Sequence, residues 1–308
     1  MMRFNGERTA FGRHETFPLR YSWLTKGVQT LLTNPGVFQS DEATVTLGVG
    51  KNMVAAIRYW LEATQLVERR DGRLILTPVG DAIFDPDKGH DPYLEDEATI
   101  WLIHWLIASN AELATAWYWF FNRFHKPEFT SQEVSTALAD FVKSDIRTRV
   151  ATTTVKQDAA IVLRMYTQSR GSTRIPLEEA LDSPLSLLGL VSHLPGSKRY
   201  QSRPYTREGL PVGIFAYAVA DYLRATEAKE VPIEELMYGR GDYPAIGGVF
   251  RLTEAALISK LELLVRTFPS NFETRETAGI HQLYLLEEQS RLTYLDYHYR
   301  AQAQGVAA

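Results

Sequence analysis

An acidic segment at residues 81–97 contains the richest set of candidate metal ligands in the chain. It holds seven carboxylates against one lysine, with one histidine among them. Carboxylate oxygens and an imidazole are ligands that Mg²⁺ or Mn²⁺ accepts, and nucleases use such ions to activate water and stabilise the leaving oxygen. The segment is therefore the one candidate metal site, with ligands from Asp85, Asp87, His90, Asp91, Glu95 and Asp96.

Within this segment, Asp91, Glu95 and Asp96 are the predicted catalytic residues of a metal-dependent DNA nickase. The same carboxylates have a second interpretation, because acidic side chains stabilise the N-terminus of a helix that follows them. The apolar run from Ala98 to Ile107 predicts such a helix. Both interpretations stay open at this point, so whether the protein is an enzyme is also open.

Other catalytic signatures are missing from the sequence. The absence of cysteine excludes disulfides, thiolate zinc sites, iron–sulfur clusters and a cysteine nucleophile. The sequence contains no phosphate-binding loop ending in Lys-Ser/Thr, no HExxH and no GxSxG motif. His14 and Glu15 are adjacent and could act as an acid–base pair, although a hydrogen bond at a helix entry is the more usual role.

Composition places the chain among folded proteins of two or three modules. It has 308 residues, of which 45% are hydrophobic and 23% charged, and its formal net charge is −4. A nucleic-acid site must therefore be a local basic patch. No signal-peptide core is present, and the longest apolar stretch, from Ile100, is too short to span a bilayer. We expect a cytoplasmic protein without a membrane partner.

The region from Leu47 to Leu76 predicts the elements that would position a DNA site. Apolar residues at helical spacing predict a helix from Lys51 onward, with Trp60 facing the core and Tyr59 facing solvent. Two short strands around Asp71-Gly72 predict a hairpin. A turn, an amphipathic helix and a basic hairpin are the order of a winged helix-turn-helix.

Basic residues follow this pattern and predict contacts with DNA phosphates, because phosphate binding requires clustered cations. The alternative is a solvated hairpin on a module that contacts only proteins. The predicted DNA-binding residues here are Lys51, Asn52, Arg58, Arg69, Arg70 and Arg73.

A second basic unit is predicted within residues 130–205. Thr130 and Glu133 form a capping-box pattern, and a helix follows in which Val155, Ala159, Val162 and Tyr166 share one face. Between positions 143 and 174, seven basic residues oppose two acidic ones, which predicts DNA contacts from Lys156, Arg164 and Arg174. Tyr200 and Tyr205 lie among further cations, a pattern that suits either single-stranded nucleic acid or an ordinary loop.

The fold class predicted from these patterns is mainly α, with tandem winged-helix-like units and small β-hairpin wings. A degenerate repeat in the last third of the chain predicts a third unit. We predict an N-terminal domain with the acidic connector at 1–110, a second basic domain at 111–208 and a C-terminal helical domain at 209–308.

Four segments resemble an SspB-like family, Domain of Unknown Function 4007. They are HETFPLRYSWLTKG at 14–27, LGVGKNMVAAIRYWLEATQLV at 47–67, DPYLEDEATIWLIHWLIAS at 91–109 and VFRLTE at 249–254. The resemblance implies a role in bacterial DNA phosphorothioation, an anti-phage defence, beside cysteine desulfurases and sulfur-transfer ATPase-type proteins. It brings no known catalytic residues, so only the motif positions carry over, among them His14, Glu15 and Arg20.

The resemblance implies DNA as the substrate and a role in opening a strand for sulfur insertion. The hypothesis is a DNA-binding component that nicks DNA with Mg²⁺ or Mn²⁺. One alternative is a non-enzymatic adaptor or regulator that presents DNA to a sulfur-transfer partner. The other is a protein-interaction scaffold that does not touch DNA.

Overall fold

The computed structural model describes residues 2–168, 183–277 and 280–303, and it is mainly α-helical with small antiparallel sheets. The chain forms two compact units. The larger is Asn5–Arg203, and the smaller is Met1–Phe4 together with Pro204–Ala308. The division into three domains stays a prediction.

The larger unit begins with helices followed by a hairpin, in the order predicted. The hairpin turn is at Asp71 (φ +50°) and Gly72 (φ +78°), and two consecutive positive φ angles are what a tight two-residue hairpin requires. The elements are α1 (Trp23–Thr33), α2 (Ala43–Leu47), α3 (Lys51–Ala63), β1 (Val67–Arg70), β2 (Arg73–Leu76) and α4 (Pro78–Phe84).

Two helices form the centre of this unit, α5 (Glu97–Ala108) and α6 (Thr115–Asn122). Every residue of α5 from Ala98 onward is buried, and so is every residue of α6. A helix that is apolar on all sides belongs in a core rather than at a surface. In the part of the chain that the structure describes, no helix combines the length and the apolar character needed to cross a membrane.

The rest of the larger unit packs two long helices on a small sheet of order β3-β5-β4. Thr130 Oγ1 accepts the Glu133 N–H at 3.2 Å, and the Glu133 carboxylate accepts the Thr130 N–H at 2.7 Å, which confirms the predicted capping box. The elements are β3 (Glu128–Thr130), α7 (Ser131–Asp145), α8 (Thr152–Tyr166), β4 (Ser192–His193) and β5 (Arg199–Gln201).

The smaller unit has a similar arrangement, with a sheet of order β6-β8-β7. Buried tyrosines of its first helix, such as Tyr217 and Tyr222, form part of its core, and Arg291 pairs with Asp221. The elements are α9 (Val212–Thr226), β6 (Glu230–Pro232), α10 (Ile233–Tyr238), α11 (Ile246–Val249), α12 (Glu254–Thr267), β7 (Phe272–Thr277), β8 (Ile280–Leu285) and α13 (Arg291–Ala303).

Candidate nucleic-acid interface

Asp91, a predicted catalytic residue, is a buried hydrogen-bond acceptor with only 6% of its surface exposed. Its Oδ1 accepts the Glu95 N–H at 2.8 Å. Its Oδ2 accepts the Asp96 N–H at 3.0 Å and the Thr99 hydroxyl at 2.6 Å. Both oxygens are therefore engaged in folding the acidic loop onto the start of α5.

Asp96 and Glu95 have different environments. Asp96 is the N-cap of α5, and its Oδ1 accepts the Ala98 N–H at 2.9 Å. Glu95 is exposed. Because α5 begins only at Glu97, Asp91 and Glu95 do not lie on that helix. The capping interpretation thus has specific hydrogen bonds behind it, and the catalytic role of these residues stays a prediction.

Two further acidic residues of the segment, Asp81 and Asp85, also have local partners. Asp85 accepts the N–H groups of Asp87 and Lys88 at 3.0 Å each, and these bonds lower the pKa of the Asp85 carboxyl. Lys88 pairs with Asp81 at 3.0 Å. Across residues 2–168, 183–277 and 280–303, no three acidic or histidine side chains are placed to hold a metal ion. Because Mg²⁺ is usually held by only one or two carboxylates together with several waters, a metal ion at this segment stays a prediction.

The helix α3 carries its predicted cations toward solvent. Lys51 and Asn52 are exposed at its first turn, and Arg58 is partly exposed two turns later. Trp60 is fully buried, as predicted, and its indole N–H donates to the Phe17 carbonyl at 3.1 Å. The prediction that Tyr59 faces solvent is wrong, because its ring is buried and its hydroxyl donates to the Leu113 carbonyl at 2.9 Å.

The β1–β2 hairpin exposes all three predicted arginines, but two of them have carboxylate partners. Arg69 Nε donates to Glu62 of α3 at 2.7 Å, and Arg70 donates to Glu68 at 2.7 Å. Arg73 is exposed and lies opposite Arg70 in the strand register. Exposed ion pairs contribute little to stability, so a phosphate can replace these carboxylates at a modest cost.

The exposed face of α8 carries two of the predicted DNA-binding cations. Lys156, Ala160 and Arg164 are exposed and four residues apart, so they form a row along one side of the helix. Its other side is in the core, because Val155, Ala159, Val162 and Tyr166 are all buried, as predicted. Arg174, the third predicted cation of this region, lies outside the described residues.

The sequence matches the profile of the family described as "Protein of unknown function (DUF4007)" over residues 11–299. The chain belongs to the DUF4007 family. Two solved structures are similar to this family member over nearly its whole length. One, described as "SspB crystal structure", has 28% identity and a TM-score of 0.83, and the match covers 96% of this chain and 89% of that one.

The second solved structure is described as "Magnesium ion-bound SspB crystal structure". It has 27% identity and a TM-score of 0.82, with the same coverage of 96% and 89%. These matches confirm the resemblance to an SspB-like DUF4007 family. No curated protein matches the sequence.

In this DUF4007 member, two motif residues of the segment at 14–27, His14 and Arg20, make contacts within the fold. His14 is buried, and its Nε2 lies 3.0 Å from Oδ1 of the buried Asp158. Arg20 lies over the ring of Trp23, with its guanidinium carbon 5.3 Å from the ring centroid. Glu15 is exposed. The structure therefore does not bring His14 and Glu15 together as an acid–base pair.

The contact between His14 and Asp158 could not be read from the sequence, because the two residues are 144 positions apart. His14 Nδ1 accepts the Thr16 N–H at 3.1 Å, so Nε2 carries the proton and donates it to Asp158. Asp158 also accepts the Gly12 N–H at 2.9 Å. The entry segment is thereby fixed to the buried side of α8.

Proposed function

We propose that this chain binds DNA as a component of a bacterial phosphorothioation system. The observation that carries the proposal is the exposed row of Lys156, Ala160 and Arg164 on α8. In this row the alanine lies between the two cations. Because its side chain is small, a DNA backbone can approach the helix closely. Cations placed in this way neutralise phosphates and release counterions.

We also propose that the chain contains winged-helix units, each with a helix that can enter a DNA groove. Support comes from the repeated order of elements. In each three-stranded sheet, the first strand along the chain pairs with the last, as β3 does with β5 and β6 with β8. The last two strands of each sheet form an antiparallel pair and follow a long helix in the sequence. In this scheme α3, α8 and α12 occupy the position of the recognition helix.

The three helices differ in charge, which favours the larger unit as the DNA-binding part. The helix α12 exposes Glu254, Ile258, Glu262 and Arg266, again four residues apart, so its row holds two carboxylates and one cation. A row with two carboxylates repels phosphate and suits a protein partner better. The face of α12 thus fits the contact with a sulfur-transfer protein that a phosphorothioation component needs.

Strand nicking is the finer hypothesis, and a magnesium ion is bound in one of the similar SspB structures. The described residues bring no three acidic or histidine side chains together at a metal-binding distance, and no step is assigned to a metal. The function that the geometry supports best is binding DNA and presenting it to a partner.

Loss of the cations that pair with no carboxylate among the described residues is expected to weaken DNA binding more than loss of Arg69 and Arg70. Lys156→Ala with Arg164→Ala should raise the Kd for a duplex at least about 100-fold, because charge-assisted hydrogen bonds contribute roughly 1.5–3 kcal/mol each and every 1.4 kcal/mol is tenfold. Lys51→Ala with Arg73→Ala should act in the same direction. Arg69→Ala with Arg70→Ala should have a smaller effect, because DNA must first displace Glu62 and Glu68.

Fluorescence anisotropy with a labelled duplex at low salt measures these affinities. The matched control is Arg224→Ala with Arg266→Ala, which removes two exposed cations from the smaller unit. Equal losses in the control and in the α8 variant would assign binding to overall charge and contradict the proposed site. Melting temperatures verify that each variant is folded.

A further inference from the structure

Two arginines of the smaller unit lie close together where two distant segments of the chain pair. Arg251 is only 5% exposed, and Arg207 is partly buried. The Tyr205 N–H donates to the Arg251 carbonyl at 2.8 Å, and the Thr253 N–H donates to the Tyr205 carbonyl at 3.3 Å. These bonds form a parallel bridge between Tyr205 and Leu252. The backbone therefore holds the segment of Arg207 beside that of Arg251.

The surroundings of both guanidinium groups are unfavourable to their positive charge. Burial lowers the pKa of Arg207 to about 10. Burial, together with the neighbouring charge of Arg207, lowers the pKa of Arg251 to about 10. Like charges that have left water repel each other strongly, because the protein interior screens them poorly. An anion bound between the two guanidinium groups would offset this repulsion.

The Nε–H of Arg207 is a donor that the fold leaves unused. It is buried and donates no hydrogen bond to any residue that the structure describes, although Arg207 has other interactions within the fold. A buried donor that lacks an acceptor is costly, so such an atom in a folded protein requires an explanation. A ligand oxygen would be its acceptor.

Both arginines also have a backbone conformation that residues other than glycine rarely adopt. The φ angle is +50° at Arg207 and +49° at Arg251. Such conformations cost energy, and they occur often at sites that bind ligands. A long cationic side chain is thus present twice where glycine would be less strained, which indicates that the guanidinium group itself is needed there.

A third cation, Lys260 of α12, fixes the loop that carries Arg207. Its Nζ donates to the Leu210 carbonyl at 2.6 Å, and the Leu210 N–H donates to the Arg207 carbonyl at 3.0 Å. Burial lowers the pKa of Lys260, and the charge of Glu208 partly offsets that shift. Because Glu208 acts on Lys260, the two arginines remain the cationic centre of this region.

The chemistry of an arginine pair favours phosphate over carboxylate as the anion. Each guanidinium group presents a planar fork that binds two oxygens. One arginine already engages both oxygens of a carboxylate, whereas a terminal phosphate presents three oxygens and a charge of about −1.5 to −2 at pH 7. Tyr205 is 67% exposed and near enough to Arg207 to affect its pKa. Its hydroxyl can therefore supply a further donor.

The burial of Arg251 favours a terminal phosphate over one inside a strand. A phosphodiester continues on both sides and needs an open groove, whereas a terminal phosphate needs access from one side only. The loop residues that flank Arg207 in sequence are exposed, namely Tyr205, Thr206 and Glu208. The loop therefore leaves one route from solvent to the two arginines.

We infer that Arg207 and Arg251 hold the terminal phosphate of a nucleotide or of a DNA strand, with the Tyr205 hydroxyl as a further donor. The inference goes beyond the proposed DNA binding, which concerns the cationic row of α8 in the larger unit. It does not depend on that proposal, because the site consists only of residues of the smaller unit.

Calorimetric titration with thymidine monophosphate and with thymidine tests the nucleotide source. The monophosphate should bind, and thymidine, which lacks the phosphate, should not. Arg207→Gln should raise the Kd of the monophosphate about 10- to 150-fold, because the charge-assisted hydrogen bonds of one guanidinium group are lost. Arg207→Lys keeps the charge without the fork and should lose less affinity. Arg224→Gln, at an exposed arginine of the same unit, is the matched control.

Anisotropy with an internally labelled single strand tests the DNA source. The strand carries a phosphate at its 5′ end, at its 3′ end or at neither end. If a strand end is the ligand, one terminal phosphate should lower the Kd of the wild type about 10- to 150-fold. That gain should disappear in Arg207→Gln and persist in Arg224→Gln.

The results decide between the sources and separate this inference from the proposed function. A gain with thymidine monophosphate alone assigns the site to nucleotides, and a gain with the strand assigns it to DNA ends. No gain from a phosphate with either probe, or the same gain in Arg207→Gln, would overturn the inference. A wild type that binds thymidine monophosphate but no duplex would overturn only the proposed DNA binding. Melting temperatures verify that both Arg207 variants are folded.

Discussion

Replacing Asp158 by alanine is expected to lower the free energy of unfolding by about 3–5 kcal/mol. The carboxylate is buried and accepts hydrogen bonds from His14 and from the Gly12 N–H. Its removal leaves the buried His14 ring and the partly buried Gly12 N–H without this acceptor, and it releases the entry segment from α8. Because α8 carries the proposed DNA-binding face on its other side, the variant should bind DNA only to the extent that it is folded.

Urea denaturation followed by tryptophan fluorescence measures this loss. Gln157→Ala is the matched control, because Gln157 is the exposed neighbour of Asp158 on the same helix. Surface substitutions of this kind usually change stability by less than about 0.5 kcal/mol. A loss below about 1 kcal/mol for Asp158→Ala would contradict the structural role of the contact.

Asp91→Ala is expected to cost at least about 2 kcal/mol of stability, because three hydrogen bonds converge on that buried carboxylate. Loss of DNA nicking in this variant would therefore say little about catalysis. Glu95→Gln is the better test, because Glu95 is exposed and contributes only its backbone N–H to the Asp91 contact. The substitution removes a charge and leaves that contact intact.

Relaxation of supercoiled plasmid with Mg²⁺ or Mn²⁺ measures nicking by the wild type and by Glu95→Gln. We expect equal rates, or no nicking by either protein, since the carboxylates of Asp91 and Asp96 accept hydrogen bonds that fold the segment onto α5. A rate more than about tenfold lower in a Glu95→Gln protein of unchanged melting temperature would restore the catalytic assignment. No nicking by a wild type that binds DNA would favour the adaptor.

Local patterns predicted the elements of the larger unit well. The apolar spacing of α3 and α8 identified their buried faces, and Asp71-Gly72 identified the hairpin, because these features depend on neighbours in sequence. Tyr59 was assigned to the wrong face because its hydroxyl lets a buried aromatic ring satisfy a distant carbonyl. Periodicity alone does not detect such a partner.

The arrangement of the candidate site depended on contacts between distant segments. Counting carboxylates indicated a metal ligand at Asp91, whereas the backbone N–H groups that engage it became visible only in three dimensions. Tyr200 was noted among cations, but its position beside Arg164 arises from packing of β5 near α8. Charge and composition thus indicated candidate residues, and tertiary packing determined which contacts they make.

The salt dependence of duplex binding tests the central claim of DNA contact most directly. If Lys51, Arg73, Lys156 and Arg164 each neutralise one phosphate, log K should fall with log salt at a slope of about −3.6. Anisotropy titrations between about 50 and about 200 mM KCl, in which such a protein loses roughly a hundredfold in affinity, measure that slope. A slope near zero, or no binding at the lowest salt, would contradict the proposal that this protein acts on DNA.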